Sequence, residues 1–244
     1  MITALLTAWA ALLLALSVAD PERRADLFAR DARSWALDLM GLLVQGVGVP
    51  ALRLGVVVVG LGQLAPTLQQ TLQLSPVISF CMCFIITDFM YYFNHRALHG
   101  AALWPLHAVH HEPSRLDLFV SSRNTLWTNG LFVYLWVDGA WWFLLADPRP
   151  LAAAMATSAG LDLWRHSRLD PPEKIARWLR PWLILPADHE RHHGHDAPLG
   201  NLGANLKVWD RLFGTLLTPE VPARTGRHTG LSLWRAWLWP FARP

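Results

Sequence analysis

The run from residue 36 to residue 62, ALDLMGLLVQGVGVPALRLGVVVVGLG, has Asp38 and Arg53 as its only charges and is long enough to cross a bilayer. It has company. MITALLTAWAALLLALSVAD opens the chain, a third apolar run covers about Val77 to Phe93, and WTNGLFVYLWVDGAWWFLLA follows at 127–146. LAAAMATSAGLDLW (151–164) returns as a shorter fifth helix, after a sharp turn at DPRP whose two prolines stop helix continuation. With 53% hydrophobic and 16% charged residues, the chain is too apolar for an ordinary soluble protein. The fourteen tryptophans suit a membrane–water interface. The fold expected is an all-α integral membrane protein with four to five apolar helices.

Two local ambiguities stay open. The first run has a signal-peptide-like SVA before Asp20 but no positive segment ahead of it, which favours an uncleaved span. Pro50 and Arg53 make 36–62 either a kinked span or a tight hairpin. Arg23, Arg24, Arg30 and Arg33 follow the first span. Arg96, Arg115 and Arg123 follow the third, and Arg165, Arg168, Lys174, Arg177 and Arg180 follow the fifth. One multi-pass topology puts all of these on the cytoplasmic side. Three regions result: an N-terminal transmembrane region at 1–76, a histidine-rich region with further helices at 77–218, and an interfacial tail at 219–244.

Histidine carries the chemistry. Ten of the eleven histidines lie between 95 and 195. His95 and His99 are spaced to put two rings on one helical face, about 6 Å apart at Cβ, fit to grip one ion. His107, His110 and His111 form an HxxHH box, and His189, His192 and His193 repeat it. A lone histidine is usually an ordinary surface or core residue, but two such boxes and an HxxxH in one chain indicate metal. Eight box histidines exceed the needs of one ion, so two metals are expected. Carboxylate-bridged di-iron bundles use two Glu-x-x-His pairs, whereas only Glu190 and His193 have that spacing here, and a nearly all-imidazole set suits iron or zinc.

HERHH also satisfies H-E-x-x-H, in which His189 and His193 would hold zinc while Glu190 activates water. A zincin-like membrane hydrolase is therefore one alternative, although it leaves the other boxes unexplained. A non-catalytic metal-binding or transport protein is another, with Asp38, Arg53 and Asp138 as its candidate mid-span ionisable residues. Cys81 and Cys83 fit no zinc or redox motif and read as small hydrophobes. A net charge of +3 without a polybasic tract argues against nucleic acid as a partner.

The order HxxxH, HxxHH, HxxHH resembles the fatty acid hydroxylase superfamily, which includes sterol desaturases, sterol methyl oxidases and alkylglycerol monooxygenase. DFMYYFNHRALH, LWPLHAVHHEPSRLDLFVSSR and NLGANLKVWDRLFGTLL carry the likeness over about residues 77–218. Glu112-Pro113 departs from the serine that members commonly carry after the second box. The resemblance implies a membrane-bound di-iron enzyme that uses O₂ to hydroxylate, or desaturate, a lipid such as a fatty acyl chain or sterol. It implies His95, His99, His107, His110, His111, His189, His192 and His193 as ligands, with His166 as the ninth. Asp162, one turn before His166, is either a ligand, an acceptor for it, or an ordinary helix-surface residue. His195 reads as a solvated loop residue.

Redox-silent zinc cannot oxidise an unactivated C–H bond, which favours iron. Asp88, Asp117, Asp188 and Asp210 are the nearest candidates to orient the imidazoles, and each is at least as well explained as a cap or loop residue. Trp209 and Asp210 read as structural. No flavin, haem or iron–sulfur motif is present, so a separate donor is expected, of the ferredoxin or cytochrome b5 type with its reductase. Arg168, Lys174, Arg177 and Arg180 either form its landing patch or serve only the positive-inside topology.

Overall fold

The computed structural model describes residues 2–131, 133–217 and 224–241. The described residues are mostly helical, with two isolated β-bridges, Leu72 to Leu145 and Leu183 to Leu206. Three helices are long and apolar enough to cross a membrane: Ile2–Ala19, Ala32–Leu64 and Pro76–Leu98. Exposed leucine, valine, isoleucine and methionine side chains cover their outer faces, among them Leu12, Leu16, Leu42, Val47, Ile78 and Ile85. Such a continuous apolar surface matches hydrocarbon, not water.

Ala32–Leu64 resolves the hairpin question, because it is one helix of 33 residues. Val44–Gly48 and Arg53–Val58 within it are π-helical. Pro50 has no N–H, and its ring crowds the carbonyl four residues back; a widened turn on either side lets the helix continue past it. The third expected span is extended at both ends, as Pro76–Leu98. Ser75 caps it, accepting from the Ile78 N–H.

The fourth apolar region forms Leu126–Leu131 and Val133–Leu144, and the fifth forms Arg149–His166. Arg149–His166 packs between Ile2–Ala19 and Pro76–Leu98. Gly160 makes its contact with the first helix close, and its carbonyl accepts from Trp9 Nε1 at 2.9 Å.

The basic ends of these helices meet a compact cap. It contains the short helices Trp104–Ala108, Glu173–Leu179, Pro186–His192 and Val208–Leu212. Asp38 sits here, at the end of its span, where Arg123 donates to it through Nε at 2.5 Å and Nη2 at 3.1 Å and Arg30 makes a further ion pair. Glu112 binds Arg33 at 2.9 and 3.1 Å and accepts from the Thr229 N–H at 3.2 Å. Glu112 thus ties the second span to the C-terminal segment. Leu233–Leu238 buries Ala236 against Leu37 and Val109 and leaves Trp234 and Trp239 exposed.

Candidate metal centre

Nine histidines converge in the cap, and they divide into two groups. His95, His99, His107, His111 and His192 form one; His110, His166, His189 and His193 form the other. Within each group the candidate ligand atoms lie within 4.8 Å of one another. Each HxxHH box gives its i, i+4 pair to one group and its middle residue to the other. The two groups are therefore interlocked, since neither is complete without both boxes. All nine histidines expected from the sequence are in the groups, while His195 is exposed in a loop outside them.

Local backbone explains the division. His95 and His99 end the long helix Pro76–Leu98, one turn apart. The second box leaves its helix at Ala108 and tightens, the His110 N–H bonding to the His107 carbonyl and the His111 N–H to the Ala108 carbonyl. In the third box Pro186 is the first helical residue, where its missing N–H costs nothing. His166 is the last residue of Arg149–His166.

Backbone carbonyls set the tautomers. The Nδ1 of His95 meets the Leu202 carbonyl at 2.9 Å, that of His110 meets Arg123 at 3.1 Å, that of His166 meets Asp162 at 2.8 Å, and that of His192 meets Gly200 at 2.9 Å. A carbonyl only accepts, so each Nδ1 carries the proton and each Nε2 is left with a bare lone pair. As neutral rings, the form that ligates metal, His110 and His166 present two bare Nε2 atoms 3.4 Å apart, both buried. Such a pair repels unless a cation sits against both. His95–His107, His99–His192, His166–His189 and His189–His193 also approach through Nε2, at 3.0 to 3.2 Å. The buried Nε2 of His111 has no protein partner. This donor set fits two metal ions.

Burial and the neighbouring imidazoles favour the neutral form of six of the rings. His107, His111, His189 and His193 are held well below the usual imidazole value by burial, and then by adjacent histidines. His110 is pushed down to about 3 and His192 to about 4, burial again leading. Neutral imidazole is the form that ligates metal.

The four aspartates considered as orienting groups act one layer further out or elsewhere. Asp210 accepts from the N–H groups of Leu202 at 2.7 Å and Gly203 at 2.8 Å, which fixes the carbonyl that orients His95. Asp88 accepts from Asn205, Leu206 and Trp209, holding the same loop to the third span. Asp188 accepts from the Leu185 N–H at 2.9 Å and pairs with Lys207 at 2.6 Å. Asp117 caps Phe119 and binds Arg30. Asp162 pairs with Arg165 through its carboxylate and contributes its own carbonyl to His166, so it lies outside both ligand groups.

Glu190 is also outside both groups; Arg168, Arg115 and Arg23 are the cations that act on it, and burial raises its carboxyl. Arg165, which sequence reasoning did not single out, joins Asp162 to the Ala204 carbonyl and the Asn205 side chain. Its signal was hidden among the basic residues assigned to topology.

A cavity of about 210 Å³ opens from His107, His110 and His166 into the helix bundle. Asn124 lines it beside these rings, is 4% exposed, and its Oδ1 has no partner.

The fatty acid hydroxylase family model matches residues 80–215, more than half of the chain. The chain belongs to the fatty acid hydroxylase family. Similar proteins include the alkylglycerol monooxygenase of Xenopus tropicalis, 26% identical over 145 residues, which cover 57% of this chain and 30% of that one. The ornithine lipid hydroxylase OlsE of Rhizobium tropici is 30% identical over 153 residues, covering 58% and 42%. A methylsterol monooxygenase of Aspergillus fumigatus is 27% identical over 164 residues, covering 58% and 48%. The match thus spans less than half the length of each of these relatives. No solved structure matches the chain. By their names, these relatives are hydroxylases and monooxygenases acting on alkylglycerol, ornithine lipid and methylsterol.

Proposed function

We propose that this chain is an O₂-dependent di-iron lipid hydroxylase, with His95, His99, His107, His111 and His192 holding one iron and His110, His166, His189 and His193 the other. The observation that carries this reading is the pair of bare Nε2 lone pairs of His110 and His166, facing each other at 3.4 Å. The relatives' hydroxylase and monooxygenase activities favour a redox metal over zinc.

Two irons so held would supply what the side chains lack, the activation of O₂ against an unactivated C–H bond. The chain's own contribution is geometric. The Leu202, Gly200, Arg123 and Asp162 carbonyls hold four rings in one tautomer and one orientation. The cavity beside His107, His110 and His166 gives a substrate carbon room next to the rings. Asn124 offers it an unpartnered carboxamide oxygen next to the rings.

The cap carries the arginines and lies on the cytoplasmic side by the positive-inside rule, with the lipid entering from the bilayer. Electrons come from a separate ferredoxin or cytochrome b5-type donor. Lys174 and Arg177 are the exposed cations left for it, since Arg168 is paired with Asp26 at 2.5 Å and Arg180 with Glu173 at 2.9 Å.

The test is turnover of anaerobically reconstituted protein with iron or zinc, a reductant system and membrane lipid, followed by lipid mass spectrometry. Iron-dependent gain of about 16 Da, the mass of one oxygen atom, is expected; loss of about 2 Da instead means desaturation. Activity with zinc alone, or sustained turnover without any electron source, overturns the reading.

A further inference from the structure

The cavity continues from the histidines to a buried polar cluster halfway down the third span. Thr87 is eight residues before His95 on one helix, a rise of about 12 Å. There Thr87 Oγ1 donates to Asp138 at 3.2 Å, and Arg53 Nη2 stands 3.6 Å from the same carboxylate. Arg53, Thr87 and Asp138 all line the cavity.

Holding helices together accounts for only part of this cluster. Arg53 spends Nε and Nη2 on the Tyr134 carbonyl, at 3.2 and 2.9 Å. Its Nη1 has a single weak partner, the Met155 sulfur at 3.8 Å. The ion pair to Asp138 is long, which leaves both groups under-used at a depth where ionisable side chains are expensive. The chain also keeps room for the pair: a Cβ on Gly139 would come within 2.6 Å of Val57 Cγ1 and 3.3 Å of Arg53 Cγ.

Resting on the proposed oxygenase reading, we infer that Arg53 and Asp138 form a recognition subsite for the hydroxyl group of a lipid alcohol, whose oxidised carbon lies about 12 Å from that hydroxyl. A hydroxyl can accept from Arg53 and donate to Asp138 at once. A carboxylate would meet the Asp138 charge, and a plain alkyl end would leave both groups unmatched.

The test measures binding, not turnover. Metal-loaded full-length protein under argon is titrated with dodecanol, dodecane and dodecanoate, read by intrinsic tryptophan fluorescence. The alcohol should bind about tenfold or more tighter than either analogue, the worth of one hydrogen bond to a charged group. In Asp138→Asn the carboxylate should overtake the alcohol, because Arg53 then lacks its counter-charge. Should that variant not fold, Thr87→Val serves: alcohol affinity should fall severalfold while dodecane binding stays unchanged.

Equal binding of the three probes, or a uniform loss of affinity for all of them in the variants, overturns the subsite. Admitting O₂ and reductant afterwards separates the two ideas. Oxidation without alcohol preference removes only the subsite, and alcohol preference without any iron-dependent oxidation removes the oxygenase reading.

Discussion

His95 donates its Nδ1 proton to the carbonyl oxygen of Leu202, 2.9 Å away. A helix that crosses the membrane is thereby tied to a loop more than a hundred residues later in the chain. Asp210 holds that loop from behind, through the N–H groups of Leu202 and Gly203 and the Thr215 hydroxyl at 2.7 Å.

Asp210→Ala should therefore do two things. Leaving buried N–H groups unmatched should cost about 3 kcal/mol of stability. Loss of the fixed Leu202 carbonyl should weaken metal at the five-histidine group by about tenfold. Thermal unfolding in detergent and metal titration by competing chelator check both, and the four-histidine group should change less.

The interlocked boxes predict separable metals. His192→Ala should lose the ion of the five-histidine group, and His166→Ala that of the four-histidine group, each retaining about one metal per chain against two in the parent. Elemental analysis of anaerobically loaded protein gives the count. Both variants should lose lipid oxidation.

Glu190→Gln distinguishes oxidation from hydrolysis. Its carboxylate lies outside both histidine groups, among Arg168, Arg115 and Arg23. Metal content and oxidation should both stay close to the parent's. A fully metallated, inactive Glu190→Gln protein would support the hydrolase instead.

Asn124→Leu tests the cavity beside the metals. The carboxamide oxygen gives the fold no hydrogen bond, so the change should leave unfolding temperature and metal content the same or slightly raise the former. Turnover should fall about tenfold if the amide positions substrate, with the loss in kcat/KM.

The sequence by itself pointed to a histidine-held metal and to a lipid-facing scaffold. Imidazoles at HxxxH and HxxHH spacing announce metal because few other uses justify them. Runs such as 36–62 announce a bilayer because no core of this size could cover them. Eight of the nine ligand candidates were legible this way, and the ninth, His166, came only from the family resemblance. Only the tertiary structure decided how they divide. Spacing within a box says that three rings share a neighbourhood, but which ring meets which depends on where Pro76–Leu98, Arg149–His166 and Pro186–His192 end relative to one another.

The same limit hid the orienting groups. They are backbone carbonyls of Leu202, Gly200, Arg123 and Asp162, and a carbonyl is present at every residue, so no letter of the sequence marks it. Arg53 and Asp138 were visible only as stray charges in apolar runs. Packing at Gly139 turned them into facing partners, because a missing Cβ lets two helices approach closely enough for their side chains to meet.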